Sequence, residues 1–467
     1  MRIILVEVSL IASGFDGYSL GGTMDLFNLT ATEMLELMKN KSISATEVAL
    51  SVMDRYHSLQ EPLKAWVYFD EEAFLKQAKD VEQSNVDKLL SGVPVGLKDI
   101  YYTAGIPTEA GSKVYEGFIP EADAVTVSLL KQSGANIMGK TVTTEFACLD
   151  PSEAVNPWNF AHTPGGSSSG SAVAVASRMC PIAMGSQTVG SVLRPAAFNG
   201  IVGYKPTFGL VSRRGLVPVS WNLDTVGWLT RSVADAALVM DCLIGFDALD
   251  KSSVKFPNPG FSSNLNNSCR KKVAYLKGYF AKGVESDITD NINAQVSKLD
   301  EAGYQIDELE APYDFESAFR NQRLIMAVEA AAFHKENYTT KSELYRPKLR
   351  AMLAQGLEYD GLTYANALEE REQFRFDLRN FAETYDLIIT PSTPEVAPGD
   401  VSTTGNPMFQ GPWTAIGFPA ISIPSGIASN GMPIGMQIVG SPMDDLNLLQ
   451  AAHEMETIIG FSDQPNL

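Results

Sequence analysis

A chain of 467 residues, 45% of them hydrophobic, has enough apolar material for one large core or two ordinary ones. Its formal net charge of -19, with no local Lys/Arg cluster to offset it, argues against electrostatic binding to nucleic acid or to an anionic membrane. Cys148, Cys180, Cys242 and Cys269 lie far apart, as do the four histidines, so neither a disulfide framework nor metal-ligand spacing is present and reduced thiols are expected.

Residues 1–14 carry one basic residue, an apolar run and then small residues, the outline of a secretory signal, but Glu7 splits the run. The chain also lacks the roughly 18 uninterrupted apolar residues of a transmembrane helix. The expectation is a cytoplasmic protein in which residues 1–23 are an extension, either a strand or a stretch upstream of a natural start at Met24. Just beyond, Thr30-Ala31-Thr32-Glu33 and Ser44-Ala45-Thr46-Glu47 are S/T-x-x-E capping boxes. They predict two amphipathic helices whose apolar faces carry Met34 and Met38, then Val48 and Val52.

From Gly92 to about residue 245, short apolar runs punctuated by Gly and Pro alternate with helical stretches. This predicts an α/β fold, a single domain over 24–467 with a central mixed β-sheet covered by helices on both faces. Residues 255–380 are more polar, with helical patterning at 287–299, 318–334 and 365–383, and read as a variable helical section over the sheet. Strand texture returns at residues 386–391, 420–424 and 435–440, before a last helix at 446–459, so residues 384–467 complete the sheet.

Several short motifs compete for the chemistry. Gly134-Ala135-Asn136-Ile137-Met138-Gly139-Lys140-Thr141 satisfies the P-loop pattern, but a P-loop follows a strand and opens a helix. Here residues 124–132 read as the preceding helix and 135–138 as a strand. Gly166-Ser167-Ser168-Ser169-Gly170 satisfies the nucleophile-elbow pattern, which needs a later histidine in a turn; His334 and His453 both fall inside predicted helices. Ser128-Leu129-Leu130-Lys131 and Ser252-Ser253-Val254-Lys255 match S-x-x-K without its companion motifs and read as surface segments.

A constellation without histidine remains. In Gly92-Val93-Pro94-Val95-Gly96-Leu97-Lys98-Asp99, period-2 alternation puts Val93, Val95 and Leu97 on one face and Pro94, Gly96 and Lys98 on the other. A lysine at the end of a buried strand loses its proton readily, because desolvation disfavours the charged form, and a neutral lysine can act as a general base. Two glycine-serine clusters follow, Gly165-Gly166-Ser167-Ser168-Ser169-Gly170-Ser171 and Gly185-Ser186-Gln187-Thr188-Val189-Gly190-Ser191. Glycine permits close backbone approach to a ligand, and serine can be a nucleophile.

Together with Arg194-Pro195-Ala196-Ala197-Phe198, Gly203-Tyr204-Lys205-Pro206-Thr207 and the later Pro412-Trp413-Thr414, these runs resemble the amidase signature family over nearly the whole chain after Met24. The resemblance implies a Ser-(cis)Ser-Lys triad of Ser191, Ser167 and Lys98. In it Ser191 attacks the amide carbonyl, Ser167 on a cis peptide relays the proton, and Lys98 is the terminal base. Backbone N–H groups of Thr188, Val189, Gly190 and Ser191 would form the oxyanion hole, and Ser168 and Trp413 are substrate-binding candidates. The implied activity is hydrolysis of the C–N bond of a small linear amide through an acyl-Ser191 intermediate, with no metal or organic cofactor. The partner is then a small-molecule substrate, and a homodimer is left open.

Departures narrow the subgroup. Many members, including the subunit that feeds ammonia to tRNA amidation, carry Asp at the position of Gln187, Gly at Val189, Cys at Asn199, and Arg two residues after the nucleophile. Arg194 stands three residues after Ser191, which is more similar to malonamidase and related free-standing amidases, where the matching arginine holds a substrate carboxylate. Arg194 is therefore a candidate anion anchor, against a structural pairing with a nearby acid. The β-branched Val189 either keeps an ordinary φ or alters the hole. Two alternatives stay beside the amidase reading: a glutaminase-type subunit of an amidotransferase complex, and a catalytically silent scaffold.

Overall fold

The computed structural model describes residues 25–84 and 86–467; the signal-like leader and Met24 lie outside the described residues. Both capping boxes form. Glu33 N donates to Thr30 Oγ1 at 3.3 Å while Thr30 N donates to Glu33 Oε2 at 2.7 Å, opening helix Ala31–Lys39. Ser44 and Glu47 repeat the arrangement at 3.1 and 2.8 Å at the head of helix Ala45–Leu63. Each box satisfies orphan N–H groups of the first turn, which is why the helices begin there.

Among the described residues, eleven strands form one mixed sheet: β1 (Trp66–Phe69), β2 (Pro94–Lys98), β3 (Asn136–Thr141), β4 (Ile182–Gln187), β5 (Val202–Lys205), β6 (Thr225–Thr230), β7 (Lys272–Leu276), β8 (Gln305–Leu309), β9 (Leu387–Pro391), β10 (Ala420–Ile427) and β11 (Pro433–Gly440). Their order is β1-β3-β2-β4-β6-β5-β10-β11-β9-β7-β8. Strands β2, β3 and β4 run parallel at one end and β7, β8 and β9 at the other; antiparallel pairs join the two sets. Helices flank the sheet, and buried side chains gather into two large hydrophobic clusters, as the predicted α/β architecture requires. Among the described residues no helix is long and apolar enough to cross a membrane.

The section at 255–380 is not only helical. Helices Ser286–Glu301, Phe315–Lys341 and Gly361–Ala382 match the predicted patterning, but β7 and β8 lie between and before them and extend the sheet at its edge. Charged residues masked these strands: β8 (Gln305-Ile306-Asp307-Glu308-Leu309) is largely exposed, as an edge strand can be. Helix Pro347–Glu358 opens on a proline at its first turn and is a further addition.

Trp413 is fully buried, its ring stacked on Phe280 with centroids 5.8 Å apart and edge-on to Phe315 at 5.1 Å. Trp413→Ala is expected to destabilise the fold by about 3–5 kcal/mol through the cavity it leaves. Urea unfolding followed by circular dichroism measures this, and a loss below about 1 kcal/mol would show that the cluster collapses around the gap.

Candidate active site

The site forms where β2 and β4 end side by side. Their parallel register pairs Leu97 with Met184, so the last residue of β2, Lys98, reaches the second glycine-serine cluster as it leaves β4. Carboxyl ends of parallel strands are the usual place for such a site in an open α/β sheet. Lys98 is fully buried; its Nζ donates to Ser167 Oγ at 2.7 Å and to Ser186 Oγ at 3.0 Å. Burial pushes its ammonium down to about 7, against the opposing pull of the Asp224 carboxylate. Ser186 went unassigned in the sequence reading, although it lies in the quoted cluster.

Ser167 follows a cis Gly166–Ser167 peptide. Both flanking carbonyls are held: Gly166 O accepts from Arg194 Nη2 at 2.6 Å, and Ser167 O from Thr144 N and Thr143 Oγ1, each at 3.2 Å. The neighbouring Gly165 has φ +77°, open to glycine at little cost. Gly185 lets the two clusters meet, since a Cβ there would lie 2.9 Å from Ser168 Oγ. Ser168 N donates to Ser191 O at 3.2 Å, which ties the clusters together.

The loop at 188–191 shows a one-sided pattern. All four of its carbonyls accept a hydrogen bond: Thr188 O from Gln322 Nε2 (2.9 Å), Val189 O from Thr414 Oγ1 (2.7 Å), Gly190 O from Arg194 N (3.0 Å) and Ser191 O from Ser168 N. None of its four N–H groups donates to another described residue. Gln187 Oε1 accepts from Val192 N and Leu193 N at 2.9 and 3.0 Å, and Thr188 Oγ1 donates to Asp224 at 2.6 Å. A loop pinned by its carbonyls with its donors free is suited to a developing negative charge. Val189 has no positive φ, so its branched side chain is accommodated on ordinary backbone.

Ser191 opens onto a cavity of about 370 Å³, also lined by Val189, Arg194, Phe319, Arg323 and Lys348. Its hydroxyl makes no hydrogen bond to another described residue, and neither Lys98 nor Ser167, which bond to each other, is among the lining residues. Cys148 also lines the cavity, but burial pushes its thiol far up and its Sγ donates to Phe146 O, so it is a poor thiolate nucleophile.

The binding candidates are placed differently. Arg194 lines the cavity, but Nη1 donates to Gly405 O at 2.6 Å and Nη2 to Gly166 O and Thr404 Oγ1, so both terminal nitrogens are engaged by the protein and only the buried Nε has no partner among the described residues. No acid pairs with it among the described residues. Ser168 is fully buried against Ser186, and neither it nor Trp413 lines the cavity. The competing motifs resolve as read: Gly134 precedes β3, and Lys140 Nζ donates to Tyr101 O (2.7 Å) and Thr108 Oγ1 (2.6 Å) within the core. His334 is buried in a helix against Tyr345.

The family model described as Amidase matches residues 47–449. Curated relatives include the glutamyl-tRNA(Gln) amidotransferase subunit of Geobacter sp. (strain M21), 33% identical across 93% of this chain and 98% of that protein. The protein of the same name from Heliobacterium modesticaldum is 34% identical across 95% and 100%. Among solved structures, native peptide amidase from Stenotrophomonas maltophilia is 26% identical with a TM-score of 0.83, over 94% of this chain and 98% of that one. 6-Aminohexanoate cyclic dimer hydrolase, at 24% identity, shares the fold with a TM-score of 0.86 over 95% and 99%.

Proposed function

This chain belongs to the amidase family, whose members hydrolyse amides, and from that premise we propose that it cleaves the C–N bond of small linear amides through an acyl-enzyme on Ser191. Ser191 Oγ attacks the carbonyl carbon as its proton passes to Ser167, whose own proton passes to neutral Lys98. The carbonyl oxygen becomes an oxyanion facing the free N–H groups of Thr188, Val189, Gly190 and Ser191. Such donors are worth roughly 3 kcal/mol each, because they need no reorganisation as charge develops. The tetrahedral intermediate collapses, the proton returns through Ser167 to the leaving nitrogen, and ammonia or an amine departs. Water then attacks the ester, Lys98 again taking a proton through Ser167, and the carboxylate leaves with Ser191 restored.

The observation that carries the reading is the buried Lys98–Ser167 contact at 2.7 Å beside a loop that ends in Ser191 and has only donors free. The test is an ammonia-release screen over small aliphatic, aromatic and carboxylate-bearing amides, joined to mass spectrometry of the Ser191 peptide after rapid acid quench. An acyl adduct on that peptide is expected; turnover with the adduct on another residue sinks the mechanism.

Asp224 offers a finer check. Its charge favours protonated Lys98, so Asp224→Asn lowers the lysine pKa and moves the acidic limb of the kcat/KM profile below about 7. A limb that stays in place, or moves to higher pH, means that another group controls the rate.

A second reading follows from the amidotransferase relatives, 33–34% identical along nearly their whole length. In that role the chain would act on glutamine and hand its ammonia to a partner chain. Purification from its native source decides: a second chain at fixed stoichiometry and a preference for glutamine favour the amidotransferase role, whereas a lone active chain favours the free-standing amidase.

A further inference from the structure

Helix Phe315–Lys341 presents Phe319, Arg323 and Met326 to the cavity that holds Ser191, at positions i, i+4 and i+7 along one face. The stripe is apolar, cationic, apolar. Arg323 is only partly exposed, and burial lowers the pKa of its guanidinium. It forms no hydrogen bond or ion pair with another described residue. The other cavity cations differ: both terminal nitrogens of Arg194 are held by backbone carbonyls, leaving only its buried Nε without a partner among the described residues, and Lys348 Nζ donates to Ser402 O at 2.5 Å. Among the described residues no carboxylate lines the cavity.

A guanidinium withdrawn from water without a counter-charge is costly, and its planar fork matches a carboxylate bidentately. In a chain of net charge -19, a cavity whose charged lining is cationic is also a local inversion of sign that draws small anions. We infer that Arg323 is the specificity-determining residue of this site and binds the carboxylate of an amide that also carries an acid group. The inference rests on the acyl-Ser191 reading for the reaction, though not for the binding. Arg194 is then the brace of the Gly166 carbonyl, and Arg323 takes the anchoring role that sequence reasoning gave to Arg194.

The test uses dicarboxylates of four to six carbons as probes, titrated calorimetrically into the full chain and into Arg323→Gln and Arg323→Lys. At least one should bind the unaltered chain, with affinity falling about 30-fold in Arg323→Gln and less in Arg323→Lys. For ω-amido carboxylates of the same lengths, Arg323→Gln should raise KM about 30-fold, and raise it far less for the matching uncharged diamides. Unaltered urea midpoints check folding. Absence of dicarboxylate binding, equal binding by Arg323→Gln, or an equal loss on acids and diamides overturns the inference; the last would make Arg323 an oxyanion stabiliser. If the binding results hold while Ser191→Ala still turns over amides, the anion site stands and the acyl-serine mechanism falls.

Discussion

Ser191→Ala is expected to lower amide turnover by at least about 10⁴-fold while leaving substrate binding and folding intact. The substitution removes only Oγ, which bonds to no described residue, and keeps the backbone N–H groups of 188–191 and the carbonyl that receives Ser168 N. What is lost is the atom that forms the acyl bond. Residual activity then comes from the loop's donors polarising the carbonyl toward water, a background known to survive loss of a nucleophile. Cys148, with its thiol held protonated, does not replace Ser191. Turnover within a few-fold of the unaltered chain would remove Ser191 from the mechanism, whatever the resemblance implies.

Lys98→Met should cost about 10³- to 10⁴-fold in kcat, the scale of a lost general base acting within a unit. Methionine is close to lysine in length and has no amine, and replacing a fully buried ionisable group by an apolar one is often near neutral for stability. The partner hydroxyls of Ser167 and Ser186 lose a donor, which limits any destabilisation to about 1–3 kcal/mol. Inactivity with a near-normal unfolding midpoint is therefore the expected pair of results. Lys98→Arg should not rescue, because a guanidinium stays charged at any working pH. The sign of the pH dependence follows from the same group. With the lysine near 7, its neutral fraction grows as pH rises, so kcat/KM climbs through about 7 and levels above it. A rate that falls across that interval would mean that Lys98 acts as a cation.

Lys98 was legible because alternation over a short, glycine-punctuated run fixes which side chains share a face, and β2 forms as Pro94–Lys98 with every residue buried. The capping boxes were legible because their hydrogen bonds are local. Ser186, Asp224 and Gln322 were not, because their roles depend on strand register and on contacts across the fold: Asp224 reaches Thr188 over 36 positions and Gln322 over 134. The signal for Arg323 was present as a lone cation between Phe319 and Met326, yet on an amphipathic helix such a charge reads as solvated until the cavity is known. β7 and β8 were hidden by Lys272, Asp307 and Glu308, which obscure the short apolar runs.

Gln322, which props the donor loop through Thr188 O, and Arg323, which faces the cavity, are adjacent on one helix. Grafting that helix from a relative would exchange the prop along with the recognition surface, and a one-residue insertion between the two would rotate them about 100° apart from their present setting. Side-chain replacement at 319, 323 and 326 that keeps the helix phase would therefore reshape the cavity while leaving the prop in place.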